Sequence, residues 1–328
     1  MDKRRLLLVC ALLGWFCLSA CVRPERVSVD REIRKERLVF AVKEGDTLSL
    51  DKYECPSALA ADSARPVMIF AFGGGFKGGD KAAQRYIPYF ERLARNGFVV
   101  VSTDYRTLLG DVEPDRMATP AAFAQSLTQA IDTAVADFYT ATRFVIERAR
   151  TWNIDPARIV ASGSSAGAIT VLQAEYYLAN AASLSAALPD GFNYAGVVAF
   201  AGAVLECEAP RWAKRPCPMM FFHGDADPVV PYEKAVIEPF GGLWGSASIA
   251  GSLEAMDVPC YFYRVANAGH EIADLPMVRN QYDVLSFLSR CVLGRERLRI
   301  ETLEAVPGDS IAPMRFTTRD YIRNNLPE

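Results

Sequence analysis

The chain has 328 residues, of which 51% are hydrophobic and 23% charged, and it carries a formal net charge of −3 at pH 7. That length suits one large α/β domain or two small ones, and the apolar content is enough for a sizeable core. The slight acidity argues against nucleic acid or an anionic surface as a partner. The locally basic stretch Gly294 to Arg299 reads as a solvated face.

At the start of the chain, Lys3-Arg4-Arg5 precedes an apolar run from Leu6 to Leu18 that is short for a bilayer span. Leu18-Ser19-Ala20-Cys21 follows. Small residues before a cysteine resemble the lipobox of bacterial lipoproteins. The resemblance implies that residues 1–20 are a signal peptide and that Cys21 is acylated and heads the mature chain. It also implies attachment to a membrane of the bacterial cell envelope, in the periplasm or at the surface, through lipid and not a spanning helix. The competing reading is an ordinary secretory signal cut nearby. Val22 to Arg37 is charged and polar and reads as a tether over 21–37, leaving 38–328 as a single domain.

Leu38 to Val42 and Leu48 to Leu50 bracket Gly45-Asp46 and predict an antiparallel hairpin. Near-continuous apolar runs follow at Val67–Ala71, Phe98–Ser102, Ile159–Ala161, Val197–Phe200, Met219–Phe222 and Cys260–Tyr263. They read as strands of a parallel sheet covered on both faces. Thr119 to Trp152 carries Phe123, Leu127, Ile131, Val135, Phe138, Val145 and Ala149 at helical spacing, a core-facing stripe that Asp155-Pro156 ends. Strands alternating with helices indicate an α/β fold with a doubly wound, mostly parallel sheet. Pro239 to Gly251 is the least regular stretch and reads either as a loop rimming the active site or as a surface loop with a packed tryptophan.

Eight cysteines are present, and Cys10, Cys17 and Cys21 belong to the export segment. The odd remainder leaves at least one thiol free. Cys207 and Cys217, which bracket a short proline-containing loop, are the best candidate pair, and Cys260 reads as a small buried hydrophobe. The absence of Cys-x-x-Cys spacing and the presence of only two histidines argue against a metal site.

The most informative stretch is Gly163-Ser164-Ser165-Ala166-Gly167, between a strand and a helical pattern. A Gly-x-Ser-x-Gly there predicts a sharp turn presenting the Ser165 hydroxyl as a nucleophile. Such a hydroxyl needs a base, and His223 and His270 are the candidates. His270 follows the strand that begins at Cys260, and the carboxyl end of a strand is where ligands meet such sheets. Asp227 in His223-Gly224-Asp225-Ala226-Asp227 is the better acid to orient His270, with Asp225 as its rival. His223 reads as structural, and Glu271 as solvated or capping. Phe72-Gly73-Gly74-Gly75-Phe76, at the end of a strand, supplies a loop of close-approaching amides. Gly74, Gly75 and Ala166 are the expected oxyanion-hole donors. Lys77-Gly78-Gly79-Asp80 does not match a nucleotide-binding loop.

These segments, together with Ser102 to Arg106 and Ile154 to Ile159, resemble the α/β-hydrolase superfamily. Within it, the chain is similar to carboxylesterases with a His-Gly-Gly-Gly type loop, such as feruloyl and acetyl-xylan esterases and enzymes like hormone-sensitive lipase. The resemblance implies an α/β-hydrolase fold and a Ser165, Asp227, His270 triad. It implies no cofactor, and short or aromatic acyl esters as substrates, free or linked to polysaccharide. Two departures stand out: Phe72 replaces the usual histidine, so other contacts must hold the loop, and Ala168 replaces a common glycine. Peptidase or thioesterase chemistry fits the same triad, and a binding protein on an inactive scaffold is the non-enzymatic alternative.

Overall fold

The apolar runs are the inner strands of a nine-stranded sheet. A computed structural model describes residues 32–58, 63–113, 117, 119–305 and 317–325; the expected signal peptide and Cys21 lie outside them. The strands are β1 (Arg34–Lys43), β2 (Asp46–Glu54), β3 (Arg65–Ala71), β4 (Val99–Thr103), β5 (Ile154–Ser164), β6 (Gly196–Phe200), β7 (Ala203–Glu206), β8 (Met219–Gly224), β9 (Lys234–Ile237), β10 (Gly241–Gly245), β11 (Cys260–Val265) and β12 (Arg299–Glu304). The large sheet runs β1-β2-β4-β3-β5-β6-β8-β11-β12. It is antiparallel through β1, β2 and β4, and parallel from β4 onward.

Glu44 and Gly45 both take positive φ, 53° and 95°, which suits the tight turn joining β1 and β2. The strand begins earlier than the sequence suggests. Arg34 to Arg37, expected in the tether, pair with Glu54 to Asp51. Their charges are the reason: Arg37 and Lys35 meet the buried Asp51 at 2.6 and 2.8 Å, and Glu36 meets Lys52 at 3.0 Å. Polarity alone made a paired strand look like a linker.

The helices are α1 (Ile87–Arg95), α2 (Pro120–Glu147), α3 (Ala149–Trp152), α4 (Ala166–Ala179), α5 (Ser246–Glu254), α6 (Pro276–Arg279), α7 (Gln281–Phe287) and α8 (Thr318–Asn325). Thr119 caps α2 by accepting from the Ala122 amide, with Pro120 in the first turn. The helical region ends at Asn153 in the left-handed conformation, which asparagine tolerates. Asp155-Pro156 instead lies in the first residues of β5.

Two further expectations change. Pro239 to Gly251 is not irregular: it contains β10, the centre of a second sheet ordered β7-β10-β9, and the start of α5. Its glycines allow close strand approach, since a Cβ on Gly242 would lie 2.1 Å from the Ala235 carbonyl oxygen. Cys207 and Cys217 are not bonded, and all five described cysteines are free. Cys207 is exposed, whereas Cys217 turns into the core and donates its amide to buried Glu175.

The turn from β5 into α4 is a tight crossing. A Cβ on Gly163 would lie 2.3 Å from the Gly167 carbonyl oxygen, and one on Gly167 would lie 2.1 Å from that of Ala71. Three backbones meet where no side chain fits. Gly167→Ala is expected to cost about 3 kcal/mol or more, because backbone cannot yield as a side-chain tip does. Gly251→Ala, in α5 with open space around it, should stabilise by about 0.5–1 kcal/mol. Urea unfolding of both variants checks the pair.

Candidate active site

Ser165 sits between β5 and α4 with φ 52° and ψ −120°, a strained conformation for a residue with a side chain. Its amide donates to the Phe200 carbonyl at 2.8 Å, which ties the turn to β6. The strain aims the hydroxyl at the carboxyl ends of the parallel strands. There Ser165 Oγ lies 2.8 Å from His270 Nε2, and His270 Nδ1 lies 2.8 Å from Asp227 Oδ2. An ionised carboxylate only accepts, so Nδ1 carries the proton and Nε2 is left to accept from the serine hydroxyl.

Asp227 follows β8 and is 1% exposed. Its Oδ1 accepts the amides of Val229 and Val230 at 2.8 and 3.0 Å. Burial alone would raise its pKa, but hydrogen bonds from His223 and His270 outweigh that and hold it well below the usual carboxylate range. His223 is fully buried, with Nδ1 2.8 Å from Ser246 Oγ and Nε2 3.2 Å from the Val230 carbonyl and 3.5 Å from Asp227. Both histidines of the chain therefore reach the same carboxylate. The rival acid Asp225 is engaged elsewhere, accepting from Arg264 and the Asn267 amide. Glu271 accepts the Gly269 amide at 2.9 Å.

The glycine loop follows β3. Gly74, Gly75 and Phe76 take φ of 156°, 63° and 59° in succession. Gly75 and Ala166 line the cavity in front of Ser165, and Gly74 is absent from that lining. The loop requires glycine at position 74, since a Cβ there would strike the Gly78 carbonyl oxygen at 1.9 Å. Ala166 begins α4, so its amide has no carbonyl partner within the helix. Phe72, standing where a histidine was expected, is clamped otherwise. Its ring stacks on Tyr105 at 4.4 Å, and the Tyr105 hydroxyl donates to the Phe72 carbonyl at 2.7 Å.

Ser165 opens into a cavity of about 220 Å³ walled by Phe76, Leu109, Phe123, Leu127, Ile169 and Val230. Wider clefts of about 580 and 560 Å³ lie elsewhere and do not include Ser165. Phe76 of the glycine loop lines this cavity, and Trp212 and Trp244 do not. Trp212 packs on Tyr176 and donates to Ser252, and Trp244 donates to the Glu206 carbonyl. Phe123 and Leu127 were read as core positions of α2. Helical spacing does not separate a wall of the core from a wall of a pocket.

Among solved structures, Thermogutta terrifontis esterase 2 is similar in its apo form, with a TM-score of 0.58 and 21% identity, covering 81% of this chain and 96% of that one. The same esterase phosphoramylated by tabun aligns with a TM-score of 0.58 at 22% identity over 78% of this chain and 94% of that one. The fold is that of the α/β-hydrolases. The family described as BD-FAE matches residues 55–202, a span that holds the glycine loop and Ser165 but neither Asp227 nor His270. Fumonisin B1 esterase of Sphingopyxis macrogoltabida is 36% identical over 107 residues, which is 31% of this chain and 18% of that protein. The matched part therefore spans under a fifth of that relative's length.

The Asp227 carboxyl ionises below its unfolded value of about 3.9. Its contribution to stability is therefore complete above that pH and is lost as pH falls through the folded value. The unfolding free energy of wild type should exceed that of Asp227→Asn at pH 7, and the gap should narrow below about pH 4. Denaturant titrations across pH measure this.

Proposed function

We propose that the protein is a serine carboxylic-ester hydrolase working through an acyl-enzyme. The observation that carries this is the unbroken chain Ser165 Oγ, His270, Asp227, with both contacts at 2.8 Å, opening on an apolar pocket that Gly75 and Ala166 line. His270 Nε2 takes the hydroxyl proton as Oγ attacks the ester carbonyl, and Asp227 stabilises the resulting imidazolium. The Gly75 and Ala166 amides face the developing oxyanion. The proton on Nε2 then passes to the leaving alcohol. Water, deprotonated by the same nitrogen, attacks the acyl carbon, and Ser165 leaves reprotonated.

Cavity size bears on the acyl group. At about 220 Å³ the cavity is smaller than the roughly 300–1,000 Å³ usual for ligand clefts. That favours short to medium or compact aromatic acyl groups over long fatty chains. Propionate- and butyrate-bound forms of the Thermogutta esterase point the same way, as do the organophosphorus adducts of that protein for a serine nucleophile. Acylation of Cys21 would hold the enzyme at the cell envelope, where polysaccharide-linked esters fit as substrates. A Cys21→Ser variant expressed in a bacterial host should then leave the detergent phase in phase partitioning and enter the aqueous phase.

A fluorophosphonate probe should label the wild type and not Ser165→Ala. Across p-nitrophenyl esters, kcat/KM should peak between acetyl and hexanoyl and fall at decanoyl. Asp227→Asn should lower kcat by about 10⁴. Preferred turnover of peptide or thioester substrates in the same panel would count against this reading.

A further inference from the structure

We propose that Tyr86, Arg85 and Asp274 form a positioning chain that sets the oxyanion loop against the nucleophile turn; the proposal rests on the ester-hydrolase reading above. It starts at Gly73, two residues before Gly75. The Gly73 amide donates to the Tyr86 hydroxyl oxygen at 3.0 Å. Tyr86 is fully buried, with its ring against Phe70 at 4.8 Å and near Phe90. A phenylalanine would satisfy that packing. The hydroxyl is needed for something else, because a buried amide left without an acceptor costs about 1–3 kcal/mol.

The same oxygen accepts from Arg85 Nη2 at 2.9 Å. Arg85 Nε meets Asp274 Oδ2 at 3.2 Å, and Asp274 Oδ1 accepts from Ser164 Oγ at 3.2 Å. Ser164 precedes the nucleophile and lies against Gly73, where a Cβ would be 2.9 Å from both the Ser164 carbonyl oxygen and its Oγ. The contacts close a ring: Gly73, Tyr86, Arg85, Asp274, Ser164 and back to Gly73. Asp274 directly follows the turn His270–Ala273 that carries the base. Three segments that must hold a common geometry are thus joined by groups that do not line the acyl cavity.

Half-exposed charges at surface pairs contribute little to stability, and Arg85 and Asp274 are 48% and 42% exposed. Their consequence is geometric. Releasing Gly73 lets the donors drift from where the oxyanion forms, which weakens the transition state and leaves ester binding as it was.

The test uses the full-length protein with p-nitrophenyl butyrate, and paraoxon as a second probe of the same oxyanion site. Tyr86→Phe should lower kcat by about 10- to 100-fold with KM within about twofold, and paraoxon inactivation should slow by a similar factor. Arg85→Gln should show a smaller loss of the same kind, and Arg85→Lys should recover part of it. The double variant should lose less than the product of the two single losses, because Arg85 acts partly through the Tyr86 hydroxyl. Wild-type kcat in Tyr86→Phe, or losses that multiply in the double variant, would overturn the proposal. So would a loss appearing in KM or only as a lower thermal midpoint. Failure of the hydrolase reading shows differently: the wild type itself would then resist paraoxon.

Discussion

Everything at this site depends on one backbone turn that the chain would not adopt unaided. Ser165 is held at φ 52°, in a region that costs a residue with a side chain about 1–3 kcal/mol. The surroundings enforce it. The Ser165 amide is fixed to the Phe200 carbonyl, and Gly73, Gly163 and Gly167 let the neighbouring backbones close in from three sides. The nucleophile is thus placed by packed main chain at the ends of β3, β5 and β6, with no dependence on a mobile side chain.

Electrostatics complete what the turn begins. Asp227 is almost wholly buried, yet remains charged because two amides and both histidines point at it. Removing a carboxylate from water is unfavourable unless such donors replace the solvent. The arrangement fixes the proton on His270 Nδ1 and frees Nε2 for Ser165. His223, which does not reach the serine, belongs to this account through its support of the acid. A site assembled this way is largely preorganised.

Much of this was legible in the sequence because it follows from local rules. Strands such as Val67–Ala71 and Met219–Phe222 are continuous apolar runs, and the Gly163 to Gly167 turn needs its glycines for steric reasons that leave a pattern. Only two histidines exist, which narrows the choice of base. What escaped was set by distant contacts. Arg34 to Arg37 read as linker because their partners, Asp51 and Glu54, become visible only on pairing. Gly241 and Gly242 read as loop because their close approaches, to Glu206 at the end of β7 and to Ala235 of β9, are tertiary. Cys207 and Cys217 are near in sequence, but one faces solvent and the other the core. Tyr86 and Tyr105 hold the glycine loop in place of the expected histidine, and no spacing rule marks a tyrosine that reaches across from another element.

The central claim is that Ser165 Oγ, deprotonated by His270, attacks an acyl carbon. It is tested most directly by mixing the protein with excess p-nitrophenyl butyrate and quenching with acid on the millisecond scale. Intact-protein mass spectrometry should reveal a transient species heavier by one butyryl group, mapping to the peptide that holds Ser165. Its formation should coincide with a burst of one equivalent of p-nitrophenol. Release of p-nitrophenol with no acylated protein at any time, or with the acyl group on another residue, would contradict the account.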